Sequence, residues 1–281
     1  MIYFLLLCAD IVWGLNIVVT KLNYHSFHPI FLIFLKLLFS FLAMCFILYY
    51  KHEKIEKINK KDLLINANLI NVVNFLLTYF AFKNIEGVDL ATINCLAPVA
   101  MAMITFIYQR SVDKKIFVFL FFSVVGFLCT IHFQISDISM SHILSIFALF
   151  VYNLGNYRLK NQKETQVIFY NTMMLFVSFI EISLITLFFK NDVLMDINSL
   201  YLWLYILTSG LGYAFIQAVY FYSIIHIGPL KTSLFLGLNP LFIYLFSIII
   251  LKENIDYYMI IGFIIILSSS LYMMYKSKNN K

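Results

Sequence analysis

Residues 79–110, YFAFKNIEGVDLATINCLAPVAMAMITFIYQR, return at residues 221–252 as FYSIIHIGPLKTSLFLGLNPLFIYLFSIIILK. Each copy opens on an aromatic helix end (Tyr79-Phe80, then Phe221-Tyr222) and passes a short polar turn. Each then enters an apolar helix interrupted at a proline, in Leu96-Ala97-Pro98 and in Leu238-Asn239-Pro240. Ile85 aligns with Ile227, Leu96 with Leu238, Pro98 with Pro240 and Ile107 with Ile249 without a gap. Identities are few, so the shared order of features carries the match. A proline inside a hydrophobic helix removes a backbone hydrogen bond and clashes with the preceding turn, which a chain tolerates twice mainly when the break is useful. The sequence reads as two copies of one unit, with Pro98 and Pro240 as helix breaks.

Composition sets the environment. The chain is 62% hydrophobic and only 12% charged, with a mean hydropathy of +0.89, against about 25% charged in soluble domains. It is expected to be an all-α, polytopic membrane protein. The net charge of +6 would suggest nucleic acid in a soluble chain, but these cations sit in short loops between apolar runs and report orientation instead. No nucleic-acid partner is expected. Cys8, Cys45, Cys95 and Cys129 lie inside apolar segments without metal or redox spacing and read as small core residues. No metal and no cofactor are expected. The first segment contains Asp10 and lacks a basic start and a small-residue cleavage site, so it reads as a retained helix rather than a signal peptide.

A spanning helix needs about 20 mostly apolar residues. That ruler lays out ten transmembrane helices, at 2–21, 29–50, 63–82, 90–109, 115–133, 141–157, 167–189, 200–223, 230–251 and 255–275, the sixth being the shortest and most polar. One set of alternate loops and ends carries Lys51, Lys54, Lys57, Lys60, Lys61, Arg110, Lys114, Lys115, Arg158, Lys160, Lys163, Lys231, Lys276, Lys278 and Lys281. The other set carries only Lys21, Lys83, Lys190 and Lys252. Fifteen cations against four place both termini in the cytoplasm. An odd-numbered unit of five helices enters the membrane upside down on repetition, which is the inverted-repeat plan of secondary transporters. The expected organisation is a first five-helix repeat over 1–133, a second over 141–275 and a cytoplasmic tail over 276–281.

Several short motifs add to this pattern. They are Trp13-Gly14-Leu15-Asn16 with Lys21 following, Tyr79 to Phe82 before a short turn, and Ala91 to Pro98. In the second half they are Tyr220-Phe221-Tyr222, Gly228-Pro229 with Thr232-Ser233, Leu238-Asn239-Pro240, and Lys252-Glu253 before Gly262. In their order and spacing the chain resembles the drug/metabolite transporter superfamily, in its ten-helix type built from two EamA-like units. The chain departs from the family in having Lys36 where Arg is frequent, and Arg110-Ser111 where a basic-acidic pair often closes the fourth helix. The resemblance implies movement of small metabolites, often amino acids, through a central cavity lined by the first, third, fourth, sixth, eighth and ninth helices.

Ionisable groups inside hydrocarbon are costly and by default functional. There are three: Asp10, Lys36 and Glu181. Asp10 and Lys36 differ in depth by roughly 6 Å at 1.5 Å per residue, so two readings stand open, a charge pair locking the first two helices or a role in proton coupling or substrate charge recognition. Glu181 has no basic residue at its depth, and either carries a proton or is satisfied by Ser178, Ser183 or water. Neutral polar residues form stripes. Asp10, Trp13, Ile17 and Thr20 share a face with Asn16 beside it, Asn71, Asn74 and Thr78 form a second, Tyr152 and Asn156 with Asn153 a third, and Tyr213, Gln217 and Tyr220 a fourth. Asn94 lies one turn before Pro98 and Asn239 directly precedes Pro240. One amide alone reads as interhelical glue, whereas the set points to a cavity. The candidate substrate-binding residues are Trp13, Asn16, Asn74, Asn94, Tyr152, Asn156, Tyr213, Gln217 and Asn239. The abundant Phe residues read as packing or lipid-facing, and His132 and His226 as helix-end residues.

No HExxH, GxSxG or GxGD-type setting is present, so no catalytic residue is assigned and the chain is not expected to be an enzyme. The expected function is secondary active transport of a small polar metabolite, most simply an amino acid or derivative, by alternating access coupled to protons or exchange. A flippase for a lipid-linked or amphipathic substrate is the alternative, with membrane lipid then a partner as well as a solvent. The chain is expected to act as a monomer or homodimer. Heavy use of Lys, Asn and Ile points to an AT-rich genome, and the expected location is a bacterial inner membrane, crossed many times.

Overall fold

A computed structural model of the chain describes residues 1–24, 26–51, 57–82, 84–109, 115–130, 139–188, 200–253 and 256–279. The expected loop cations Lys54, Lys83, Arg110, Lys114, Lys190 and Lys281, with Ser111 and His132, lie outside them. Every regular element among the described residues is a helix, joined by short turns, without a strand. In chain order the helices are α1 (Ile2–Asn23), α2 (Pro29–Lys51), α3 (Lys60–Ala67), α4 (Val73–Ala81), α5 (Gly87–Asn94), α6 (Ala97–Gln109) and α7 (Lys115–Thr130). They continue as α8 (Met140–Leu159), α9 (Val167–Thr186), α10 (Leu200–Tyr205), α11 (Gly212–Ile227), α12 (Pro229–Leu236), α13 (Asn239–Phe246) and α14 (Tyr257–Asn279). Seven helical runs among the described residues are long and apolar enough to cross a membrane: Ile2–Asn23, Pro29–Lys51, Lys60–Ala81, Asp89–Gln109, Glu164–Thr186, Leu200–Ile227 and Pro229–Leu251. α7, α8 and α14 complete the bundle and fall short of that measure in length or apolar content.

The two proline breaks are helix starts rather than kinks. α5 stops at Asn94 and α6 begins at Ala97 with Pro98 second, while α12 stops at Leu236 and α13 begins at Asn239 with Pro240 second. In the first helical turn the proline's missing N–H has no partner to lose. The turns between are tightened by Leu96 N donating to Ile93 O at 2.9 Å and Leu238 N to Phe235 O at 2.7 Å. A second pair of irregularities matches across the halves. α3 runs into α4 through a π-helical turn at Asn68–Val72, and α10 runs into α11 through one at Ile206–Leu211.

Facing helices treat those turns alike. Ser40 Oγ on α2 donates to Gly210 O at 2.6 Å, and Ser178 Oγ on α9 donates to Ala67 O at 3.3 Å. A turn away, Tyr205 OH donates to Leu32 O at 2.6 Å and Asn66 Nδ2 to Tyr170 OH at 2.9 Å. The halves therefore interleave. α1 packs on α11 and α13, α8 packs on α4 and α6, α2 on α9, and α7 on α14. One hydrophobic core holds residues from both halves, including Leu6, Leu37, Ile70, Tyr170, Tyr205 and Ile243. At Gly14 the contact of α1 with α13 is so close that a Cβ would lie 2.7 Å from Phe242 Cβ and 3.0 Å from Ile243 N. Backbone cannot yield as a flexible side chain can.

Gly228 makes the joint between α11 and α12. It adopts φ 84° and ψ 157°, a region essentially reserved for glycine, and Pro229 then starts α12 with its fixed φ. Gly228→Ala is expected to destabilise the protein by about 1–3 kcal/mol, read as a lower melting temperature in detergent. A melting curve coincident with the parent's would show that this joint relaxes into an ordinary backbone conformation.

Candidate substrate cavity

Side chains from both halves enclose a cavity of about 70 Å³, room for several waters at roughly 10–15 Å³ each. α1 contributes Trp13, Asn16, Ile17 and Thr20, α2 contributes Lys36, and α4 contributes Asn74, Phe75, Thr78 and Tyr79. Phe82, Leu90 and Asn94 follow, then Ala97 at the first break. α8 supplies Ser145, Ala148, Leu149 and Tyr152, and Leu236 and Asn239 come from the second break. Both breaks thus end at the cavity wall, which is what the interruption of two apolar helices accomplishes here. Trp13 sits edge-on between Tyr152 (centroids 5.5 Å apart) and Tyr220 (5.6 Å) and forms an aromatic floor. Ser145 Oγ and Asn239 Oδ1 are buried without a partner among the described residues.

Beneath that floor lies a layer of polar groups bonded from helix to helix. Asn71 Oδ1 accepts from Tyr213 OH at 2.8 Å and from Gln217 Nε2 at 3.2 Å, while Asn71 Nδ2 donates to Ser178 Oγ at 3.0 Å. Gln217 also donates to the Tyr213 hydroxyl. Tyr220 OH donates to Asp10 Oδ1, and Asn239 Nδ2 donates to Asp10 O at 3.3 Å. This layer ties α9, α11 and the first π turn together and seals the bundle on the side where α1 begins. The cavity lies toward the opposite side, where α1 ends and α5 and α8 begin.

Several expected placements are corrected by this geometry. Tyr213, Gln217 and Asn156 do not line the cavity. The α11 stripe is turned onto Asn71 and Asp10, so the eighth helix expected in the wall is replaced there by Lys36 of α2, and Asn156 lies beyond Tyr152 along α8 with its side chain buried. Asp10 and Lys36 form no pair. The face of α1 that carries Asp10 is directed at Tyr220 of α11, and Lys36 Nζ lies instead over the rings of Phe75 (4.3 Å to the centroid) and Tyr213 (4.5 Å). Glu181 is satisfied by neither Ser178 nor Ser183. It accepts from Asn68 Nδ2 at 3.1 Å, half-buried beside the π turn and away from the cavity, while the two hydroxyls bond backbone carbonyls. His226 stands at a helix end as expected, against Glu164 at 2.8 Å.

The sequence profile of the EamA-like transporter family matches residues 1–132 and, a second time, residues 138–275. The chain belongs to the EamA-like transporter family.

As an EamA-like protein it is a membrane transporter of small molecules, in a family of transporters rather than enzymes. Among solved structures it is similar to one described only as "Crystal structure of protein", with a TM-score of 0.73 at 8% identity over 99% of this chain and 98% of that one. At that identity the likeness is one of fold. No curated protein matches the chain.

In this EamA-like chain both ends of the bundle are clasped across the repeats. On the cavity side Lys21 Nζ, at the end of α1, meets Glu253 Oε1 at 2.7 Å, and the same oxygen accepts from Gly87 N at 3.1 Å. On the sealed side Arg158, at the end of α8, meets Asp62 at 2.8 Å and Asn66 Oδ1 at 3.1 Å. Phe75, Phe82, Tyr79 and Ser145 were not marked as cavity residues by their sequence. A lone Ser or Phe on an apolar helix carries no signal that separates a cavity wall from packing, although Phe75 and Tyr79 flank the polar stripe of Asn74 and Thr78.

Proposed function

We propose that the protein is a secondary active transporter of a small polar metabolite, an amino acid or derivative, that spans a bacterial inner membrane ten times as two inverted five-helix repeats with both termini in the cytoplasm. The observation that carries this reading is the cavity itself, polar on several sides, built by both repeats at their two helix breaks, and closed on one face by a fully buried hydrogen-bonded layer. With the loop cations facing the cytoplasm, the cavity lies in the outer half of the bundle and the Asn71 layer forms the inner seal. Alternating access then consists of rocking the repeats so that the Asn71 layer parts while the Lys21–Glu253 side tightens. Asn16, Asn74, Asn94 and Asn239 present amides to the polar groups of the substrate, and Trp13 and Tyr152 pack its body. Asp10, buried under the floor and next to the second break, is the group placed to carry a proton in such a cycle, rather than Glu181.

A ligand stabilises whatever state binds it, independent of transport direction. The test is a thermal-shift screen of the purified protein against amino acids, nucleosides, sugars and amphipathic cations, repeated on Asn74→Ala with Asn94→Ala. A stabilising compound is expected whose effect falls by at least about tenfold in apparent affinity in the double variant, as loss of two polar contacts implies. Stabilisation that is indifferent to both substitutions would place the site elsewhere.

A further inference from the structure

Lys36 is 5% exposed and is the one charged residue among the described residues of the cavity wall. Its ammonium has no ion pair and no hydrogen bond to a described residue, only the faces of Phe75 and Tyr213 and, at 5.8 Å, Tyr79. No described carboxylate reaches it: Asp10 turns one oxygen to Tyr220 and keeps the other buried without a partner among the described residues, Glu181 meets Asn68, Asp62 meets Arg158, Asp89 lies against His142 and Glu253 meets Lys21. Ring faces offset only part of the lost hydration of an ammonium, and a buried charge without a counter-ion is retained where it has a use. We infer that the transported molecule carries an anionic group, a carboxylate or phosphoryl, and that this group seats on Lys36 Nζ. The inference rests on the cavity reading above and names the feature by which that cavity recognises its substrate.

No acidic side chain lines the wall among the described residues. An ammonium on the same substrate therefore meets only uncharged groups among the described residues, namely amide oxygens, the hydroxyls of Thr20, Thr78 and Ser145, and aromatic rings, so the anionic group is the dominant handle. Lys36 and Phe75 of this seat belong to the first repeat and Tyr213 to the second, and Asn239 reaches the substrate from the second break. One bound molecule then bridges the halves that must move relative to each other.

The test uses the full chain in detergent and matched probes: amino acids, their carboxamides, the corresponding 2-hydroxy acids, and sugar phosphates beside the free sugars. Acids or phosphates are expected to bind at least about tenfold more tightly than their neutral partners, since a charge-assisted contact in a dry site is lost with the charge. Whether the carboxylate or the phosphoryl series responds distinguishes the two anions. Lys36→Met is expected to abolish that preference and Lys36→Arg to keep it. The comparison of acid with amide on the parent protein decides the matter even where Lys36→Met fails to fold. Amides that bind as tightly as acids, or unchanged acid binding to Lys36→Met, overturn the anion assignment and leave the cavity reading standing. A panel with no binder at all overturns the metabolite reading and the anion assignment with it.

Discussion

Asn71→Ala is expected to lower stability by about 2–4 kcal/mol. The side chain makes three contacts at once, with Tyr213, Gln217 and Ser178, and each interhelical bond of this kind contributes roughly 0.6–2 kcal/mol in a membrane. Removing it leaves the Gln217 amide and the Tyr213 hydroxyl buried with a lost partner, the more costly side of hydrogen-bond energetics. Thr105→Ala is the matched control, because among the described residues that hydroxyl bonds only Met101 O one turn back on its own helix and its removal should cost well under about 1 kcal/mol. The measurement is the denaturation midpoint of both variants in the same detergent. Equal midpoints for the two would mean that the Asn71 layer does not hold α9 and α11 to the first repeat.

Glu253→Gln is expected to reduce transport at least about tenfold while leaving substrate affinity in the cavity largely intact. Lys21 and Glu253 are 19% and 11% exposed at the side chain. Breaking a fully buried pair costs about 3–5 kcal/mol, and the partial exposure here discounts that to roughly 2 kcal/mol. Two kcal/mol shifts a two-state equilibrium about thirtyfold, enough to starve a cycle of the state in which this side is closed. Asp62→Asn at the other end should act more weakly, since Arg158 and Asp62 are 33% and 38% exposed. Counterflow in proteoliposomes reads both. The exchange Lys21→Glu with Glu253→Lys should recover part of the loss, and full activity in Glu253→Gln would remove this contact from the gating step.

What was legible in the sequence follows from which consequences are local. A proline dictates backbone behaviour wherever its helix lies, so the two breaks could be placed from Pro98 and Pro240 without knowing their neighbours. The polar stripe of α11 was visible as a face, but periodicity does not say what a face meets. Tyr213 and Gln217 face Asn71 rather than the cavity for that reason. Asp10 and Lys36 lie close enough in depth for a lysine to span the difference, and depth is only one of two coordinates on a helix. The angle around the axis, set by the packing of α1 on α11, sends Asp10 to Tyr220. Asn68 reached Glu181 from a π turn that no propensity announces, and a one-residue bulge rotates everything beyond it. Gly14 was visible only as part of a motif. Its reason is the nearness of Phe242 and Ile243, which are remote in the chain.

The bond from Tyr220 to Asp10 spans 210 positions of sequence. At about 5–20 residues per second of synthesis, roughly 10–40 s separate the emergence of the carboxyl from that of its hydroxyl donor. During that interval α1 sits in or beside lipid with an acidic group that its own repeat does not satisfy, a state that hydrocarbon penalises. The nascent first helix therefore needs shelter, within the insertion machinery or at the headgroup level, until α11 is made. A ribosome that stops after the first repeat releases a product marked as unfinished by a carboxyl whose hydroxyl partner was never made.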